Sequence, residues 1–150
     1  MIIFLLSVLF IFGIIFVLLT ANRLYEKFVE NDPMLIDIRN TLKPVFPDID
    51  TVILLKGKKS YTINKKKIHL CLFDEHGNYY DKNMLIYVTL HELAHVRCDE
   101  IDDKEHGEKF HSIFNDLLQK AIQHGIYNPN KPLIRNYCEY ESFKSFNHSF

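Results

Sequence analysis

The chain has 150 residues, with 18 Lys and Arg against 19 Asp and Glu, for a formal net charge of −1. With neither sign in excess, composition provides no global field that would gather nucleic acid or acidic substrates. The three cysteines, Cys71, Cys98 and Cys138, cannot all pair within one chain and none sits in a C-x-x-C arrangement, which fits a reducing compartment.

The first element is an uncharged run, IIFLLSVLFIFGIIFVLL at residues 2–19, interrupted only by Ser7 and Gly13. As a helix it spans about 27 Å, close to the hydrocarbon thickness of a bilayer. It reads as a single amino-terminal transmembrane anchor over residues 1–20. A cleaved signal peptide fits less well, because no Lys or Arg precedes the run and residues 19–23 make a poor small-x-small cleavage site. A buried core helix is the third alternative. Arg23 and Lys27 follow the run, so the positive-inside rule places residues 21–150 on the cytoplasmic side.

Residues 21–49 form a linker and a short helix. Asp32-Pro33 offers an N-cap and a proline at the first helical position, and Met34, Leu35, Ile38 and Leu42 make one apolar stripe before Pro44. From Thr51 the pattern becomes β-branched and aromatic. TVILL, SYTI and IHLCLF predict three strands, with Asn64-Lys65 turning the second into the third. Lys56, Lys58, Lys59, Lys65, Lys66 and Lys67 crowd this hairpin. They read first as a solvated tip, and second as a contact for nucleic acid or an anionic lipid surface.

The turn DEHGN at 74–78 closes the sheet region, and Asp81 caps a helix over 82–97 that is apolar nearly all round and therefore buried. An acidic connector at 99–105 reads as a solvated loop. A last helix at 108–124 shows Phe110, Ile113, Phe114, Leu117, Leu118, Ala121 and Ile122 at helical spacing, with Gly125 as its stop. Residues 50–127 are thus the core and 128–150 a tail whose packing the pattern does not define.

Four of the eight histidines fall within residues 91–111. His91 and His95, four apart on a helix, project from one face and can hold two corners of a tetrahedral Zn²⁺ site, one ion per chain. Glu92 can take a proton from water at an open corner, which is the chemistry of peptide-bond hydrolysis. Chance alone gives H-E-x-x-H in roughly one sequence in forty of this length and composition. The apolar context decides, because three polar groups on a buried helix are costly unless something satisfies them together. The third ligand is His106, in the loop before the last helix, in competition with His111 on that helix. Cys98, three residues beyond His95, would turn the site into a closed structural one if it bound. His111, Tyr137 and Tyr140 are candidates for stabilising an oxyanion.

His91-Glu92-Leu93-Ala94-His95, followed by His106-Gly107-Glu108-Lys109-Phe110, resembles the SprT-like and WLM-type zinc metallopeptidases, in which a H-G-x-x-F element supplies the third ligand. The likeness covers about residues 50–127, and the chain resembles the short versions of this domain carried by large DNA viruses. It implies an α+β zincin-like domain, with a small antiparallel-containing sheet on the active-site helix, zinc on His91, His95 and His106, and Glu92 as base. The same analogy suggests that an extended protein or peptide substrate adds to a sheet edge near Ile68–Phe73. This chain lacks the zinc ribbon of members that act on DNA–protein crosslinks, and has an apolar anchor instead. The function expected is that of a membrane-anchored zinc metallopeptidase, on a host or virion membrane if the source is viral. The alternatives are a non-catalytic, zinc-stabilised membrane or virion protein and a DNA-associated protease of the same family.

Overall fold

A computed structural model describes residues 2–99 and 106–138, with the side chains of residues 2–6 and 26–30 left aside. Helix α1 (Ile2–Glu30) leads into α2 (Pro33–Leu42), a 3-10 turn (Pro47–Thr51), strands β1 (Ile53–Lys56), β2 (Tyr61–Ile63) and β3 (Lys67–Leu70), then α3 (Lys82–Arg97) and α4 (Glu108–Gln123). The architecture is α+β, with four α-helices and one small mixed sheet among the described residues.

The apolar run and the linker are one continuous helix. Within it, Ser7–Tyr25 is long and apolar enough to cross a membrane and none of it is buried against the rest of the chain, a test that a signal sequence also passes. Helix α2 begins as its sequence dictates: the Asp32 carboxylate accepts from the Met34 amide, and Pro33 occupies the first turn, where no amide is missed. Leu35, Ile38 and Leu42 are buried, and Arg39 donates to the carbonyls of Ile49 and Val52, tying the helix to the 3-10 turn and the start of the sheet.

The sheet order is β1-β3-β2. Asn64 and Lys65 both have positive φ, and the Lys66 amide closes the turn on the Ile63 carbonyl, so β2 and β3 form a tight antiparallel hairpin. Strand β3 also pairs in parallel with β1. It is therefore the central strand, and the expected substrate edge at Ile68–Phe73 is not available along β3, whose two sides are both paired. The free edge near the site belongs to β2. Lys58, Lys59, Lys65 and Lys66 are exposed, as a solvated tip requires, and Lys65 also donates to the Cys98 carbonyl just past the end of α3, where a cation suits the helix dipole. Lys56 lies over the Phe73 ring and 3.9 Å from Asp32.

Helix α3 lies between the sheet and α4. The Asp81 carboxylate caps it through the Asn83 amide, and Leu85, Ile86, Leu90, Leu93 and Ala94 are at most 1% exposed. Its far end is pinned to the 3-10 turn by Arg97, whose guanidinium makes two bonds to Asp48, at 2.8 and 2.6 Å. Helix α4 packs Phe110, Phe114, Leu117 and Ala121 inward and stops where Gly125 turns left-handed. Beyond it, Asn83 and Asn128 exchange two hydrogen bonds, and the following segment returns to the core with Tyr127 and Cys138 buried. The tail runs exposed over residues 128–136 and is anchored at Tyr137 and Cys138, and residues 139–150 lie outside the described residues.

Cys71 and Cys138 are joined by a disulfide, leaving Cys98 as a buried free thiol. Their odd number had suggested reduced cysteines. An odd count forbids complete pairing but not one bridge, and the Cys71–Cys138 bridge does not fit the reducing compartment expected from the sequence.

Candidate metal centre

His91 and His95 stand on the last two turns of α3, and His106 comes back from the loop that leads into α4. One nitrogen from each of the three lies within 4.8 Å of the others. The ring centroids form a nearly equilateral triangle, 5.1 Å from His91 to His95, 5.0 Å from His91 to His106 and 5.1 Å from His95 to His106. The His91 and His106 Nε2 atoms are 3.2 Å apart. Metal–nitrogen bonds of about 2.0–2.1 Å in a tetrahedron give an edge of roughly 3.3 Å, which this one donor pair matches. Burial, followed by the charges of His95, His106 and His111, brings the His91 imidazole down to about 4, so at neutral pH it is uncharged, as a ligand must be.

Phe110 belongs in the sequence both to the apolar stripe of the last helix and to the H-G-x-x-F element, but its packing under all three rings is visible only in the fold. Its ring sits 4.4 Å from His95, 4.6 Å from His106 and 5.0 Å from His91, so one buried aromatic floors all three imidazoles. Phe114 adds a further edge against His91 at 5.2 Å. His106 is exposed, which leaves the cluster open to water on its side.

His111 is also exposed, on the first turn of α4, with its ring 6.4 Å from that of His106. It lies beside the cluster rather than in it, and His106 is the histidine that completes the group. Cys98 does not join it. Cys98 is the C-cap of α3, its amide still bonded to the Ala94 carbonyl, and its buried thiol lies outside the three-histidine group. The closed four-ligand arrangement is therefore not formed among the described residues. Of the acidic connector, only Asp99 falls within them.

Glu92 is 6% exposed, and burial raises its pKa above the ordinary carboxylate value while a hydrogen bond from Thr62 pulls it back. That bond, from Thr62 Oγ1 to Glu92 Oε2, is 2.7 Å long, and it reaches the site from the edge strand β2. Thirty residues separate the pair, and no local pattern announces it. The phenol of Tyr137, pushed up to about 12 chiefly by burial, donates to the Cys71 carbonyl and meets Ser60 Oγ. With its proton spent there, Tyr137 is not a free oxyanion donor, and Tyr140 lies outside the described residues. Among the described residues, His111 is the candidate that remains.

No family model matches the chain. Among curated proteins it is similar to an uncharacterized protein of Invertebrate iridescent virus 6, 52% identical over 88 residues that make up 57% of this chain and 48% of that protein. An uncharacterized protein of Invertebrate iridescent virus 3 is 49% identical over 86 residues, 57% of this chain and 52% of the relative. One from Acanthamoeba polyphaga mimivirus is 39% identical over 110 residues, 68% of this chain and 50% of its own length. These relatives are viral, and the chain spans about half the length of each. No solved structure matches.

Proposed function

We propose that the chain is a zinc-dependent metallopeptidase of the SprT-like or WLM kind, held at a membrane by α1. The observation that carries this reading is the convergence of His91, His95 and His106 into one open three-nitrogen site, with Glu92 next to the first ligand and fixed by Thr62. A zinc ion bound there would bring the pKa of its water towards neutrality and polarise a substrate carbonyl. The chain's own part is to hold the three imidazoles aligned over Phe110 and to receive a proton on Glu92. Thr62 occupies one oxygen of that carboxylate, which leaves Oε1 to take the proton and pass it to the leaving amine.

Two features bear on which side of the membrane the domain works. Arg23 and Lys27 favour the cytoplasmic side, whereas a domain closed by the Cys71–Cys138 bridge suits an oxidising environment such as a virion surface. The bridge engages the core and is the stronger argument. Glu92→Gln tests the catalytic reading: the variant should keep its zinc, and cleavage of a denatured protein should fall about 100-fold or more. Unchanged cleavage would remove Glu92 from the mechanism.

A further inference from the structure

Strand β2 faces two ways. Its alternation turns Thr62 inward to Glu92 and leaves Tyr61 and Ile63 on the outer face of the sheet, 44% and 38% exposed. The register sets Leu55, His69 and Tyr61 in one row of that face, where Leu55 on β1 is buried and the Tyr61 ring stacks on His69. Lysines bracket the exposed pair along the chain. Lys58 and Lys59 precede Tyr61, Lys65 and Lys66 follow Ile63, and all four are exposed. Residues 56–73 hold six lysines and no Asp or Glu, so the segment brings no negative charge of its own to offset them.

Helix α1 brings this face close to the bilayer. It contacts β1, and because Ser7–Tyr25 is not buried against the rest of the chain, the contact falls on residues 26–30. Those residues rise about 8 Å along the helix, comparable with the polar layer of about 5–8 Å on each side of the hydrocarbon. Asp32, just beyond α1, lies 3.9 Å from Lys56 at the end of β1, which fixes the sheet at that exit. Strand β1 is therefore at the level of the headgroups. Strand β2 is two strand spacings across, about 10 Å, which is no more than about one Debye length at physiological salt. A nucleic-acid backbone would use the lysines and leave Tyr61 and Ile63 idle. A headgroup layer uses both, since it attracts the cations while accepting an aromatic ring and an aliphatic side chain at its inner edge.

We propose that the outer face of β2, with Lys58, Lys59, Lys65 and Lys66 around it, docks on the anionic phospholipid surface of the membrane that α1 enters. The proposal rests on the membrane reading of α1 and is independent of the metal. The chain has no Trp, so Tyr61→Trp gives the full chain a single indole whose depth can be read. The variant is reconstituted into phosphatidylcholine vesicles with about 30% phosphatidylserine, and its emission is compared with and without lipids brominated high on the acyl chain. Bromination should quench it about twofold or more, and salt at about 1 M, where the Debye length is about 3 Å, should relieve the quenching. Adding Lys59→Gln and Lys66→Gln should shift the docked-to-free ratio about 30-fold towards free. Ile63→Trp is a second reporter with the same expectations, should Tyr61→Trp disturb the stack on His69. Equal quenching in vesicles of phosphatidylcholine alone would overturn the charge-driven docking. So would an unquenched indole at both positions while Phe16→Trp, inside the apolar run, is quenched; duplex DNA bound through the same lysines in that case would assign them to nucleic acid. An unquenched Phe16→Trp would instead sink the membrane reading of α1, and the docking with it.

Discussion

Replacing Thr62 with valine keeps the side chain's shape and removes its hydroxyl, the group that holds Glu92. The bond from Thr62 Oγ1 to Glu92 Oε2 is 2.7 Å long and the carboxylate is 6% exposed, so water cannot readily take over. A hydrogen bond to an ionised group contributes about 1.5–3 kcal/mol, and the metal-free variant should lose that much stability near neutral pH. The loss should depend on pH in a definite sense. Burial already raises the Glu92 pKa and the Thr62 bond opposes it, so Thr62→Val raises it further and the carboxyl protonates sooner as pH falls. Once Glu92 is neutral in both proteins, the missing bond is an ordinary one and the difference shrinks to about 1 kcal/mol. Urea unfolding of the full chain, followed by tyrosine near-ultraviolet circular dichroism because the chain has no Trp, measures both limits. Thr62→Ser should recover most of the loss. A loss below about 0.5 kcal/mol at neutral pH, or one that grows as pH falls, would refute the role given to Thr62.

Two further outcomes follow from the same geometry. Cys71 and Cys138 are 67 positions apart, and on loop-closure entropy the double substitution to serine should cost about 4 kcal/mol, read as a shift in the urea midpoint of the oxidised chain; a shift equivalent to less than about 1 kcal/mol would contradict the bridge's role. The folded-state pKa of His91, about 4, lies below its ordinary value, so the unfolded chain binds the proton first: His91's contribution is intact above about pH 6.5 and is lost as pH falls through its folded pKa. Comparing the metal-free chain with His91→Asn across that window should show the flatter profile in the variant, and parallel profiles would contradict the shift.

Much of the fold was legible because its signals are local. Asp32-Pro33, Asp81 and Gly125 mark helix ends through their own backbone chemistry, and Asn64-Lys65 takes the left-handed angles that a tight hairpin needs. His91 and His95 were legible for the same reason, since a helix fixes their spacing. Tertiary partners were not. Nothing near Thr62 points to Glu92, nothing near Cys71 points to Cys138, and the parallel pairing that puts β3 in the middle of the sheet joins segments that no turn connects. Cys98 shows the limit of helical spacing as a guide: three residues beyond His95 at the C-cap of α3, it is still not among the clustered donors.

The most direct test of the metal centre is the zinc affinity of the full chain and of His106→Ala, each stripped of metal and titrated against a chromophoric chelator. The account predicts one tightly held zinc per wild-type chain and at least a 100-fold loss of affinity in the variant, because two imidazoles from one helix then remain. One zinc held equally by both proteins, or none held by the wild type, would contradict it.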